Sequence, residues 1–123
     1  MGGDIVWTGL DHIQLAMPRG GEAAARAFFV DLLGWREIAK PEALRARGGL
    51  WLEAGPAEVH LGVEEAFQPA RKAHPAFAVN GIDRLARRLD DAGHAVTWAD
   101  DIPGRRRFFS ADPFGNRLEF LEG

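Results

Sequence analysis

A chain of 123 residues has the size of one domain and can bury one real core. With 46% hydrophobic and 27% charged residues and a formal net charge of −3, it is balanced like a globular protein and lacks the basic footprint of a nucleic-acid or anionic-membrane binder. Cysteine and tyrosine are both absent, so disulfides, thiolate nucleophiles and cysteine metal ligands are excluded and a common acid–base group is missing. No apolar run approaches the roughly 20 residues of a membrane helix, and no charged-then-apolar leader opens the chain. A cytoplasmic location is the expectation.

Leu10 to Met17 (LDHIQLAM) alternates, with Ile13, Leu15 and Met17 on one face and His12, Gln14 and Ala16 on the other, the pattern of a half-buried strand. Pro18, Gly20 and Gly21 break it, and Glu22 to Leu33 reads as a helix stopped by Gly34. Three short strands are predicted next, at Trp35–Ala39, Leu50–Ala54 and Glu58–Val63, separated by glycine-containing turns. Residues 64–73 form a polar connector containing Pro69. The order then repeats: a strand at Pro75–Val79, a helix at Ile82–Asp91 closed by Gly93, and strands at Ala95–Ala99, Arg106–Ala111 and Arg117–Glu122. The turn DPFGN at 112–116 joins the last two.

Each half therefore runs strand, helix, strand, strand, strand. His12 and His74 are 62 residues apart, at the start of the first strand of each half, while His60 and Glu119 are 59 apart, within the last strand of each. Duplication is the simplest account of such a pseudo-repeat. The alternation turns His12, His60, His74 and Glu119 away from the apolar rows. If helices cover those rows, three imidazoles and a carboxylate line the opposite, concave face, a ready donor set for a divalent ion. His94 falls in the turn after the second helix and reads as surface.

The segments LDHIQLAM, DLLGW, AHPAFAV and the closing DPFGNRLEFLE together resemble the vicinal oxygen chelate superfamily, which includes glyoxalase I, extradiol dioxygenases and the fosfomycin and bleomycin resistance proteins. The resemblance covers roughly residues 9 to 122, and the DPxGNxxE ending is its most specific part. It implies an α+β domain over residues 1–123 with two βαβββ modules, about 10–63 and 74–122, in an open, curved mixed sheet with helices outside. It also implies a homodimer and a divalent metal (Zn, Ni, Mn or Fe) held by His12, His60, His74 and Glu119. His60 stands where glyoxalase I has a Glu, so a ligand is kept but a carboxylate used around proton transfer is lost.

Alternation adds pocket candidates for a small-molecule substrate. Gln14 shares a face with His12, Trp51 and Glu53 point the same way in the third strand, and Arg107 and Phe109 point inward from the seventh. The triplet Arg105, Arg106 and Arg107 has two readings: an anchor for an anionic substrate through charge-assisted hydrogen bonds, or, for the first two, pairing with Asp100 and Asp101, while Trp98 and Phe114 are expected to pack. Three functions remain open. In a glyoxalase-type lyase or isomerase the metal polarises two vicinal oxygens and Glu119 moves a proton. An Fe(II) ring-cleaving dioxygenase would use His12, His74 and Glu119, although His60 fills a further position and no tyrosine is present. A metal-free binding or antibiotic-resistance protein leaves the ligand set unexplained. The positions matched to the Lys, Ser and Tyr of fosfomycin-modifying relatives hold Ala99, Arg107 and Phe109, which disfavours that substrate.

Overall fold

The computed structural model describes residues 3–123. The first module contains β1 (Ile13–Met17), α1 (Glu22–Ala25, continuing as a π-helical segment Arg26–Leu32), β2 (Arg36–Ile38), a short α2 (Glu42–Arg45), β3 (Leu50–Ala54) and β4 (Ala57–Val63). The second contains β5 (Ala76–Val79), α3 (Ile82–Asp91), β6 (Thr97–Ala99), β7 (Arg107–Ala111) and β8 (Arg117–Glu122). Hydrogen bonding divides the strands into two open four-stranded sheets, ordered β1-β4-β3-β2 and β5-β8-β7-β6. In each, the first strand runs parallel to the last and the remaining pairs are antiparallel. This is the expected pair of βαβββ modules, with the curved sheet built as two hydrogen-bonded halves.

The predicted elements recur with two local differences. The helix from Glu22 widens, because Leu33 N–H donates to Phe28 O, five residues back, at 2.9 Å. Wider turns reduce the angle between successive side chains, and the adjacent Phe28 and Phe29 both enter the core, 2% and 0% exposed. The short α2 after Pro41 was not expected; its single turn carries no buried residue, so it leaves no apolar periodicity to read. No helix of the described residues is long and apolar enough to cross a membrane.

One apolar cluster joins the modules. Leu15, Met17, Leu52, Val59 and Leu61 from the first sheet and Phe77, Phe108, Leu118 and Phe120 from the second belong to it, with Phe29 from α1 and Leu89 from α3. Trp35 meets Phe77 edge-on at 4.9 Å, and the Arg88 guanidinium donates to Leu32 O at 3.3 Å. A polar latch completes the joint at the β7–β8 turn. Asn116, 1% exposed, donates from Nδ2 to Ala16 O in β1 and to Asp112 Oδ2, each at 2.8 Å, and accepts from Ala70 N–H at 3.0 Å. Asp112 Oδ1 in turn accepts the Phe114 and Asn116 N–H groups, both at 2.9 Å, which sets the turn. The turn's Gly115 takes φ +93°, left-handed backbone that glycine adopts without strain.

Asn116→Ala leaves Ala16 O, Ala70 N–H and Asp112 Oδ2 short of partners in a buried setting. We expect a loss of about 2–4 kcal/mol in urea unfolding, since stranded buried groups cost about 1–3 kcal/mol each and partial rehydration recovers some of that. A loss under about 0.5 kcal/mol would mean the latch contributes little.

Candidate functional site

The face of each sheet turned away from the core carries one polar row. In the first module the register sets Gln14, His60 and Trp51 side by side across β1, β4 and β3. In the second it sets Ala76, Glu119 and Phe109 side by side across β5, β8 and β7. His60 and Glu119 thus occupy equivalent places in the two central strands, each beside an aromatic ring.

His60, 5% exposed, lies in a stack: the Trp51 ring is parallel to it at 3.9 Å with a 2° tilt, and the His12 ring covers its other side at 4.1 Å. Its Nε2 donates to Glu58 Oε2 at 2.8 Å. His12, immediately before β1, directs Nδ1 to Asp11 Oδ1 at 2.8 Å. Because that oxygen is an acceptor, Nδ1 holds the proton and the His12 Nε2 lone pair is left open. Gln14 folds over Gly62, whose missing side chain makes the room: a Cβ there would stand 2.4 Å from Gln14 Nε2.

In the second module His74, just before β5, hydrogen-bonds Lys72 O through Nδ1 at 2.8 Å and faces Glu119 Oε1 through Nε2, also at 2.8 Å. The backbone carbonyl fixes the proton on Nδ1, so Nε2 and a carboxylate oxygen, both electron-pair donors, face one another and need a cation between them. A proton satisfies them, and so does a metal ion: ligand distances of about 2.0–2.2 Å place neighbouring donors about 3 Å apart. Burial pushes the Glu119 carboxyl up, but hydrogen bonds from Arg107 and His74 outweigh it and hold Glu119 below the usual carboxylate range. Glu119, 7% exposed, is therefore ionised at neutral pH.

Arg107 is 9% exposed, and both its Nη atoms are engaged while the buried Nε has no partner. Nη1 donates to Glu119 Oε2 at 2.9 Å and Nη2 to Asp101 Oδ1 at 2.6 Å. The structure holds Arg107 on the expected face, paired with Glu119 and Asp101. The expected pairing of Arg105 and Arg106 with Asp100 and Asp101 is corrected. Arg106 forms a two-pronged pair with Asp83 of α3, at 2.7 and 2.9 Å, and Asp101 goes to Arg107. Trp98, 44% exposed, packs on the core residue Phe108 with ring centres 5.2 Å apart and has the Arg106 guanidinium 4.7 Å from its own ring centre, and Phe114 also packs against the core, as expected. His94 meets Phe28 edge-on at 4.9 Å, a packing contact apart from the site. Glu58 was overlooked, although its place two residues before His60 puts it on the same face.

The four expected ligands form two pairs, His12 with His60 and His74 with Glu119. Among the described residues of one chain, no three His, Asp or Glu side chains gather as a metal site would require.

Comparisons with known proteins agree on the fold. A family model described as the Glyoxalase/Bleomycin resistance protein/Dioxygenase superfamily matches residues 9–120. A crystal structure of a protein from Bacillus anthracis, described as of the glyoxalase family, is 46% identical, with a TM-score of 0.92 over 100% of this chain and 99% of that one. Lactoylglutathione lyase from Agrobacterium tumefaciens is 18% identical (TM-score 0.69, 90% and 92% of the two chains). The fosfomycin resistance protein FosX from Listeria monocytogenes is 17% identical (TM-score 0.79, 96% and 93%). These last two show likeness of fold alone. No curated protein sequence matches the chain.

Arg107→Leu should lower the urea midpoint at neutral pH by stripping the partly buried Glu119 of its main counter-charge. Glu119 titrates lower in the folded than in the unfolded chain, so its contribution is present above the ordinary Glu value of about 4.3 and lost as pH falls below it. The gap between parent and variant should therefore narrow from pH 7 to pH 3. A gap constant across that range would refute the Arg107–Glu119 assignment.

Proposed function

Because the chain belongs to the Glyoxalase/Bleomycin resistance protein/Dioxygenase superfamily, we propose that it is a divalent-metal-dependent enzyme of glyoxalase type, a lyase or isomerase acting on a small molecule with vicinal oxygens. The observation that carries this reading is the His74–Glu119 pair, whose Nε2 and Oε1 face each other at 2.8 Å with the His74 proton fixed on Nδ1. His12 has the same disposition, Nδ1 donating and Nε2 open. Three nitrogens and one carboxylate oxygen suit zinc, nickel, manganese or iron, and the chemistry of the donor set fits such an ion. The two pairs lie on separate modules of one chain, so in this reading a homodimer in the cytoplasm brings His12 and His60 of one copy to His74 and Glu119 of the other.

When bound, the ion supplies Lewis acidity toward the substrate's two oxygens. The chain's own groups do the rest. Trp51 and Phe109 provide apolar walls, and Gln14 offers amide donors beside His60. Glu119 is the carboxylate of the set that can accept a proton from carbon, at Oε1, the oxygen facing His74. Arg107 on Oε2 keeps that carboxylate ionised and fixes its plane, which favours ligation and weakens it as a base. Glu58 holds the His60 ring through Nε2.

Calorimetric titration of the metal-stripped protein with zinc, nickel, manganese and Fe(II) at neutral pH tests the reading. We expect binding of at least one ion, weakened by His74→Ala beyond the about 10–100-fold that losing an outer-sphere partner costs, and a dimer by light scattering at micromolar concentration. If no ion binds, or if His74→Ala binds as the parent does, the metalloenzyme reading fails.

A further inference from the structure

Six arginines donate no side-chain hydrogen bond among the described residues, and five of them, Arg47, Arg71, Arg84, Arg87 and Arg105, are exposed to water. The sixth, Arg117, is drawn in from the surface. It lies two residues before Glu119 on β8, on the same face, opposite the small Ala111 of β7. Its guanidinium sits 4.0 Å from the Phe109 ring centre, the shortest such approach among the described residues. That contact steadies a guanidinium whose nitrogens still reach water, and because a ring face accepts no N–H hydrogen bonds of ordinary strength, the five N–H donors stay available to a ligand. The nearby carboxylates do not supply acceptors either: Glu119 is engaged by Arg107 and His74, and Asp101 by Arg107.

We propose that Arg117, steadied by Phe109, is the anion-binding residue of this site, so that the small molecule handled here carries an oxyanion group, a carboxylate or a phosphate. The inference rests on the proposed function for where the reacting oxygens lie, at Glu119 and His74. Two residues along a strand space the backbone positions of Arg117 and Glu119 by about 6–7 Å. A compact molecule of a few carbons bridges that distance. Ala111 and Ala76 leave space on this face, and the planar guanidinium suits a two-pronged grip on the planar carboxylate.

The test uses the metal-free full chain, so that it stands apart from metal binding. Succinate, inorganic phosphate and the neutral succinamide are titrated by calorimetry into the parent and into Arg117→Gln, and the Arg117 Nε–H signal of the parent is followed by NMR. Succinate or phosphate is expected to move that signal saturably, succinamide not to, and Arg117→Gln to weaken anion binding about tenfold or more. Preference for succinate identifies a carboxylate ligand, and preference for phosphate identifies a phosphoryl one. An anion response equal in Arg117→Gln, as a site on the exposed Arg84 and Arg87 would give, overturns the proposal, as does no response at Arg117. Zinc titration of the parent separates the two readings: zinc binding with no anion response sinks the anion site alone, and an anion response without zinc binding sinks the metal reading alone.

Discussion

The buried amide of Asn116 is the constraint on which the arrangement of the modules depends. A turn between β7 and β8 would ordinarily lie at the surface and leave the two halves joined by apolar contact and the Arg88 hydrogen bond to Leu32 O. Here its side chain reaches Ala16 in β1 and Ala70 in the connector while holding its own turn through Asp112. Apolar packing is non-directional and leaves neighbouring sheets free to slide. Hydrogen bonds to fixed backbone groups set one register, and a buried amide that loses them is stranded at a cost. The Asp-Pro-x-Gly-Asn pattern that marks the family in sequence thus has a physical task in this chain.

Joining the modules through their helix-side faces decides where the chemistry sits. The shared core takes Leu15, Val59, Leu61, Phe77, Leu118 and Phe120, and strand alternation then sends His60 and Glu119 to the faces turned away from it. Each face carries one imidazole-bearing pair and one aromatic ring, but the pairs are electrostatically unlike. Around His60 the neighbours are rings and Glu58; Glu119 is bonded by Arg107 and His74, with Arg117 over the adjacent Phe109 ring. A site assembled from one face of each kind would combine an imidazole-rich side with a carboxylate whose proton affinity is kept low.

Much of this was legible in the sequence, for identifiable reasons. The strands at Leu50–Ala54 and Arg117–Glu122 and the helix at Ile82–Asp91 match their predicted bounds because strict two-residue or helical periodicity survives along them. The faces of Gln14, Trp51 and Phe109 followed from the same alternation. What the pattern does not encode is which polar group satisfies which. Arg107 and Arg117 share the site's face, and only the folded structure shows that one bonds Glu119 and Asp101 through its Nη atoms while the other has no protein acceptor. Arg106 crossing to Asp83 on α3 is likewise a tertiary pairing with no local signature. The π-helical widening after Ala25 arises from burying two adjacent phenylalanines, which a 3.6-residue reading treats as an ordinary helix.

The central claim is that a half-site on one chain is completed by the other half-site of a second copy. Mixing His60→Ala chains with Glu119→Ala chains under conditions of subunit exchange tests it most directly. In a cross-chain dimer each mixed pair carries one doubly damaged site and one intact site, so zinc binding of parent-like affinity should return at about one quarter of the parent stoichiometry, mixed pairs being about half of all dimers under random exchange. Each variant alone should show none. An equal mixture that exchanges subunits yet recovers no tight site would contradict the account, because it would mean that any ion is held within a single chain or not at all.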